Sequence, residues 1–305
     1  MDEYNRREQA GELLYKPRRL DGRAKSLVVP SREQGRSIPC RVFTPASDRK
    51  IEGLLLNIHG GGWTVFSYKF QDPYLAHIAD TNNLITICVG YQLAPNHPFP
   101  AGPEDCYDVA EWLVANSMSR FGTELSFIDG SVCIQLLTEC VRLLTIRKSS
   151  GGHFAALTAL HLRKSRPDFH LRGLVLKYGI FDLTYTNPSI VNAKNPIIVT
   201  HNALKYTTEA FVPGTTLKDR QNPKISPFYV DLQSLSPLPP ALFVCGTEDI
   251  LIDDSVFFAV KWMMVNCATV LKIFPGALHG FVDFDGMPFL QDGWDTITDF
   301  LASQV

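Results

Sequence analysis

The amino-acid sequence predicts an α/β fold with a mainly parallel central sheet and helices on both faces. Short apolar runs rich in β-branched residues alternate with segments of helical periodicity, which is the order that βαβ units produce. The apolar runs are continuous rather than alternating, as in strands that are buried on both faces. The chain has 305 residues, of which 45% are hydrophobic. It is therefore long enough to form one large domain without disulfide or metal staples.

Five apolar runs are predicted to be strands, at residues 54–58, 84–89, 174–176, 241–245 and 270–274. A further run, 126–131, is typical of a strand that enters a tight turn. Four segments carry apolar residues at helical spacing and are predicted to be helices: 103–114, 152–162, 253–267 and 289–301.

Two regions depart from this alternation. Residues 1–45 are poorly patterned and are expected to form an N-terminal cap segment. Residues 187–232 are rich in Pro, Asn and Thr, and are expected to leave the sheet as a lid-like excursion. Within the excursion, Ile198, Tyr206 and Phe211 either shape an apolar pocket or pack the lid itself. No linker divides the chain, so residues 1–305 are predicted to form a single domain.

Composition excludes several function classes. The 29 Lys and Arg residues are balanced by 31 Asp and Glu residues, whereas nucleic-acid binders normally carry a basic excess. No apolar run reaches the roughly 18 residues that a membrane span needs, and the first residues carry no secretory signal pattern. The seven cysteines are scattered without a CxxC pair. Free thiols in a reducing compartment, and hence a cytoplasmic location, are the expectation.

Three consecutive glycines follow the first predicted strand, within His59-Gly-Gly-Gly-Trp63. Glycines let a backbone turn tightly and point its N–H groups into open space. Such donors suit the oxyanion that develops during acyl transfer. The alternatives are a flexible turn and a phosphate-holding loop, but the flanking His and Trp directly after a buried strand favour the oxyanion loop.

An acid and a histidine follow two later predicted strands. Asp249 comes after the strand at 241–245, and His279 comes after the strand at 270–274. The order and positions fit the orienting carboxylate and the general base of a catalytic triad. Either residue alone is also typical of an ordinary turn. Asp253 and Asp254 are weaker candidates for the acid because they are better placed to cap the next helix.

Together these motifs resemble the hormone-sensitive-lipase-like branch of the α/β-hydrolases, which are carboxylesterases and lipases. The resemblance runs from about residue 54 to the C-terminus. Residues 59–63 match that family's HGGGW motif, and YQLAPNHPFPA at 91–101 is similar to its Tyr-Arg-Leu-Ala-Pro-Glu-His-Pro-Phe-Pro-Ala signature. The resemblance implies an α/β-hydrolase fold, oxyanion N–H groups at Gly61 and Gly62, and catalytic roles for Asp249 and His279.

The family's Gly-x-Ser-x-Gly nucleophile motif is only half present. SSGGHFAAL at 149–157 resembles the downstream half, which identifies Ser149 as the candidate nucleophile and the N–H of Ser150 as a third oxyanion donor. Two positions before Ser149, however, the chain has Arg147 instead of glycine. Small residues at that position let the strand and the helix approach each other, so the departure puts the geometry of the nucleophile in doubt.

Removal of residues 132–148 restores the motif. The join then reads Gly130-Ser131-Ser149-Ser150-Gly151. We therefore interpret these 17 residues as foreign to the fold and hypothesise that they are a translated intron, since Val-Cys at 132–133 can be encoded by the splice-donor sequence GTATGT. The alternative is a genuine amphipathic helix, because apolar residues do recur there at helical spacing.

The predicted function is a serine carboxylic-ester hydrolase that acts on a small apolar ester, with Ser149, His279 and Asp249 as the triad. The 132–148 insertion is expected to impair it, because a displacement of about 1 Å can lower a rate roughly 100-fold. Neither a metal nor an organic cofactor is implied, because the eight histidines show no ligand spacing. Two alternatives stay open: an inactive small-molecule binding protein, and another reaction such as lactone opening or dehydration in the same pocket.

Overall fold

The computed structural model of the protein describes residues 20–130, 150–194, 196, 198–283 and 286–305. Its strands are β1 Lys25–Pro30, β2 Ser37–Phe43, β3 Gly53–Ile58, β4 Leu84–Val89, β5 Leu125–Gly130, β6 Gly173–Lys177, β7 Ala241–Glu248 and β8 Thr269–Leu278. Its helices are α1 Asp72–Asn82, α2 Ala101–Phe121, α3 Ser150–Ser165, α4 Pro188–Val191, α5 His201–Phe211, α6 Leu217–Arg220, α7 Ile252–Met264 and α8 Leu290–Ser303.

The eight strands form one sheet in the order β1-β2-β4-β3-β5-β6-β7-β8. The pairs from β4 to β8 are all parallel, and only the β1–β2 and β2–β4 pairs are antiparallel. Every residue of β3, β4, β5 and β6 is buried, which requires cover on both faces of the sheet. The α/β-hydrolase fold that the sequence predicts is confirmed.

The five predicted strands and the strand that leads into the turn are confirmed, with small shifts at their ends. The four predicted helices are also confirmed as α2, α3, α7 and α8. Helices α2 and α3 pack against each other and against β5, while α1 and α8 pack against each other. Helix α1 was not predicted from the sequence.

The N-terminal region differs from expectation. Residues 20–45 do not simply cap the domain, because they contribute the antiparallel strands β1 and β2 to the edge of the sheet. Residues 1–19 lie outside the described part of the chain. The excursion at 187–232 contains the helices α4, α5 and α6. None of the helices in the described residues is long and apolar enough to cross a membrane.

Candidate active site

Four sequence motifs meet at the edge of the sheet that is formed by the carboxyl ends of its parallel strands, because β3, β5, β7 and β8 all end there. The glycine-rich loop begins at His59 after β3, and β5 ends at Gly130. Asp249 directly follows β7, and His279 directly follows β8. The register pairs Glu248 with Leu278, so the acid and the histidine are neighbours. This edge is where open parallel sheets bind their ligands.

Asp249 and His279 form a buried hydrogen-bonded pair. The Nδ1 atom of His279 lies 2.6 Å from Oδ2 of Asp249, and both side chains are almost completely inaccessible to solvent. The other carboxylate oxygen, Oδ1, accepts the backbone N–H of Leu251 at 2.9 Å. The thiol of Cys245 approaches Oδ2 at 3.5 Å. These donors fix the carboxylate, and the carboxylate in turn fixes the tautomer and orientation of the imidazole.

The second nitrogen of His279 is available for chemistry. With the Nδ1 proton directed at Asp249, Nε2 carries the lone pair, and it is buried without a hydrogen-bond partner among the described residues. The ring packs against Tyr178 at a centroid distance of 5.0 Å, and the Tyr178 hydroxyl donates to Asp283. A buried, oriented and unpaired imidazole nitrogen is the group that a general base requires.

The glycine-rich loop has a conformation that only glycine tolerates at its centre. Gly61 has φ +129°, and a Cβ added there would lie 2.0 Å from the carbonyl oxygen of Val65. Gly62 has φ +59°. The carbonyl of Gly61 accepts the N–H groups of Thr64 and Val65, whereas the N–H groups of Gly61 and Gly62 donate no hydrogen bond within the described residues. Two free N–H groups in a buried loop can receive a negatively charged oxygen.

Tyr91 supports the glycine-rich loop through two contacts with His59. Its hydroxyl donates to the carbonyl of His59 at 2.7 Å, and the two rings stack with centroids 4.2 Å apart. Burial lowers the pKa of His59 to about 4, and the contact with the Gly60 carbonyl only partly opposes that effect. His59 is therefore neutral at pH 7, which keeps a positive charge out of the loop.

The nucleophile position lies at the border of the described chain. Ser149 falls outside the described residues, and Ser150 opens α3 as a buried residue. The hydroxyl of Ser150 lies 3.4 Å from that of Tyr91, which in turn donates to the carbonyl of His59 at the start of the glycine-rich loop. A Cβ added at Gly130 would lie 2.3 Å from the carbonyl oxygen of Gly151 and 2.6 Å from Cα of Gly152. The end of β5 and the start of α3 are therefore in direct backbone contact.

Two buried polar clusters near the site were not foreseen in the sequence. Trp63 donates its indole N–H to His153. In the second cluster, Lys177 pairs with Asp129 at 2.9 Å, with both side chains fully buried. Lys177 directly follows the predicted strand at 174–176, and Asp129 lies within the predicted strand at 126–131, so two opposite charges beside apolar runs were the signal that could have revealed the pair.

The three candidate pocket residues of the excursion differ in burial. Phe211 is buried and stacks on Trp63, with ring centroids 4.6 Å apart and planes 8° apart. Ile198 is buried, whereas Tyr206 is 62% exposed.

Within the described residues, His, Cys, Asp and Glu side chains form no group that could hold a metal ion. The described cysteines are free thiols, and Cys267 alone among them is more than slightly exposed.

A family model described as an alpha/beta hydrolase fold matches residues 55–283. The chain belongs to the alpha/beta hydrolase family. Its relatives place it among the hormone-sensitive-lipase-like esterases of that family, as the motifs indicated. It is an esterase-type hydrolase by family.

Two curated relatives and one solved structure illustrate this. The chain is 28% identical over 250 residues to ethyl acetate hydrolase of Pseudomonas putida, covering 81% of this chain and 72% of the relative. It is 27% identical to the carboxylesterase NlhH of Mycobacterium tuberculosis, with the same coverage. The structure of an esterase from Pyrobaculum calidifontis is 26% identical and superimposes with a TM-score of 0.79, covering 99% of this chain and 94% of that one.

Proposed function

We propose that this protein hydrolyses small apolar carboxylic esters through a triad of Ser149, His279 and Asp249. The observation that carries the proposal is the buried pair of Asp249 and His279, which leaves Nε2 of the histidine unpaired at the edge of the sheet. The family and the glycine-rich loop support the same chemistry. One relative is named for a specific ester, ethyl acetate, and this supports the proposal that the acyl and alcohol groups are short.

The proposed reaction has two steps. The Ser149 hydroxyl attacks the ester carbonyl while Nε2 of His279 takes its proton, and the same proton is then given to the leaving alcohol. Water attacks the resulting acyl-serine, again through His279, and releases the acid. The N–H groups of Gly61, Gly62 and Ser150 stabilise the oxyanion in both steps. Loss of one such donor typically costs about 3–4 kcal/mol of transition-state stabilisation.

The segment 132–148 bears directly on this proposal. The Gly-x-Ser-x-Gly turn needs its two glycines in contact so that strand and helix can approach. Gly130 and Gly151 make that contact, although 20 residues separate them in the sequence. We therefore propose that removal of 132–148 joins Ser131 to Ser149 in a functional turn. If the inserted residues displace the Ser149 hydroxyl, the 305-residue form binds the ester without hydrolysing it.

The test compares the full chain with a variant that lacks residues 132–148. We expect the shortened chain to hydrolyse p-nitrophenyl acetate at least 100-fold faster, because a misplacement of about 1 Å already costs roughly that factor. A shortened chain that is no more active would refute our account of the insertion. Sequencing of the transcript provides a separate check, since a message that always contains these codons excludes the intron hypothesis.

Two serine variants of the shortened chain identify the nucleophile. Ser149→Ala is expected to abolish labelling by a fluorophosphonate probe and to lower kcat by a factor on the order of 10⁶. Ser150→Ala is the matched control, because it removes a neighbouring hydroxyl and keeps the N–H that the mechanism uses. Labelling that survives Ser149→Ala would show that another residue is the nucleophile. No labelling of either chain length, with micromolar binding of an apolar ester, would identify a binding protein.

A further inference from the structure

We propose that His153 is a positioning residue that clamps the oxyanion loop to the excursion at 187–232. This inference rests on the proposed role of the glycine-rich loop. His153 is the fourth residue of α3, it is fully buried, and both of its ring nitrogens are engaged. One nitrogen contacts Trp63, which directly follows the glycines, and the other contacts Ile225 in the excursion.

The two contacts fix one state of the imidazole. The indole N–H of Trp63 lies 3.1 Å from Nδ1 of His153, and an indole nitrogen can only donate. The Nδ1 atom must therefore accept, so the single proton of the neutral ring is on Nε2. That proton is donated to the carbonyl of Ile225 at 2.7 Å. His153 thus accepts a hydrogen bond at one end of the clamp and donates one at the other, so a substitution can remove either hydrogen bond separately.

The Trp63 end determines where the oxyanion donors lie. Trp63 has φ +64°, a left-handed conformation that costs energy for a residue with a side chain. The strained conformation is tolerated because the indole ring is fixed in place. It donates a hydrogen bond to His153, stacks on Phe211 and is buried. Its carbonyl also accepts the N–H of Ala94 at 2.9 Å. Because Gly62 is covalently joined to this residue, rotation of Trp63 would move the Gly62 N–H.

The Ile225 end of the clamp connects the excursion to the chain that follows β6. The next residue, Ser226, donates its hydroxyl to the carbonyl of Arg220 and accepts the N–H of Leu183, which follows β6. Ile225 is itself buried. Since Phe211 also belongs to the excursion, this region contacts the oxyanion loop both by stacking and through His153.

Two variants separate the two ends of the clamp. H153N places an oxygen near the position of Nδ1 and keeps an acceptor for Trp63, but it cannot reach Ile225. H153Q places an amide N–H near the position of Nε2 and keeps the donor to Ile225, but it offers Trp63 no acceptor. W63F removes the indole donor from the other partner and keeps an aromatic ring, although a smaller one, at the position that stacks on Phe211, so its effect on hydrogen exchange should have the same direction as that of H153Q.

Hydrogen exchange measured on the full chain by mass spectrometry tests the clamp without depending on activity. We expect H153Q and W63F to raise exchange in a peptide covering 59–66 by about tenfold or more, the factor that corresponds to about 1.4 kcal/mol, and to leave 221–228 unchanged. H153N should do the reverse. Equal changes in both peptides for every variant, or no change in either, would overturn the proposal.

Kinetics then test the catalytic consequence in whichever chain length hydrolyses p-nitrophenyl acetate. A displaced oxyanion donor weakens the transition state and not the ground state, so kcat should fall by up to about 100-fold for H153Q and W63F while KM changes less than about twofold. H153N should retain kcat within about threefold. A rise in KM at constant kcat would refute the positioning role. If no chain length hydrolyses the ester, the proposed function fails and the exchange data still decide whether the clamp exists.

Discussion

Replacement of Lys177 by methionine is expected to destabilise the protein by about 3–5 kcal/mol, because it strands a buried carboxylate. The side chains of Lys177 and Asp129 are both fully buried and lie 2.9 Å apart. The carboxylate oxygen that accepts from Lys177 also accepts from Asn57 at 2.8 Å. The ammonium group lies 3.8 Å from the centre of the Tyr74 ring. With so little access to water, neither charge can be solvated when its partner is removed.

The magnitude follows from the separation of the charges. At 2.9 Å and an effective dielectric constant of about 20, two opposite unit charges attract each other by about 6 kcal/mol. Burial of both ions costs several kcal/mol each, so the net contribution of the intact pair is close to zero. K177M and D129N should therefore each cost about 3–5 kcal/mol. The double variant K177M/D129N should lie within about 1 kcal/mol of the parent.

Urea unfolding of the four proteins at pH 7 measures this double-mutant cycle. The expected result is a double variant more stable than either single variant, which corresponds to a coupling energy of several kcal/mol. Where a single variant does not fold, recovery of soluble, cooperatively unfolding protein in the double variant gives the same answer. If the cost of the double variant equals the sum of the single costs, the two charges do not interact and the reasoning is wrong.

Two further predictions concern backbone contact and pH. G130A should destabilise the protein by about 1–3 kcal/mol in urea unfolding, because its Cβ would lie 2.3 Å from the carbonyl oxygen of Gly151; G22A, where the added atom meets nothing within 4 Å, is the control and should change stability by less than about 0.5 kcal/mol. Burial raises the pKa of Asp254 to about 7, so the stability that its protonated form contributes is complete below about pH 4 and is lost as the pH rises through 7. D254N should therefore gain stability relative to the parent between pH 5 and pH 8, and a constant difference between the two proteins at both values would contradict this assignment.

Most of the strands that could be predicted from sequence are buried on both faces; the edge strand β8, which is largely exposed or half-buried, is the exception. The runs that became β3, β4 and β7 are continuous and apolar, so burial alone specifies them. Strands β1 and β2 lie at the sheet edge and alternate between exposed and buried residues over only a few positions. Such a short alternation within a polar region is weak evidence for a strand, and this is why both strands were missed.

The candidate site also contains residues that could be predicted from the sequence and residues that could not. Asp249 and His279 could be placed because each follows directly on a recognisable strand, and parallel strands bring their carboxyl ends to one edge. The contact between His153 and Trp63 joins residues 90 positions apart. Neither residue carries a local signal of its partner, since a histidine in the first turn of a helix and a tryptophan after glycines both have many ordinary uses. Such pairs depend on tertiary packing and become visible only in three dimensions.

The close approach of Gly130 and Gly151 also limits what the segment 132–148 can do to the rest of the molecule. The strand and the helix that it joins are in backbone contact, and β5 pairs with β3 and β6 as far as Gly130, its last residue. The elements on either side of residues 132–148 are thus in contact with each other. Closing a connection of about 20 residues instead of about 3 costs only about 2 kcal/mol of loop entropy, a small fraction of what a sheet of eight strands can stabilise. We therefore expect a chain with these residues to fold with Asp249 paired to His279. Under the proposed function, the segment acts on the Ser149 hydroxyl, so we expect activity, and not stability, to differ between the full chain and a chain without residues 132–148.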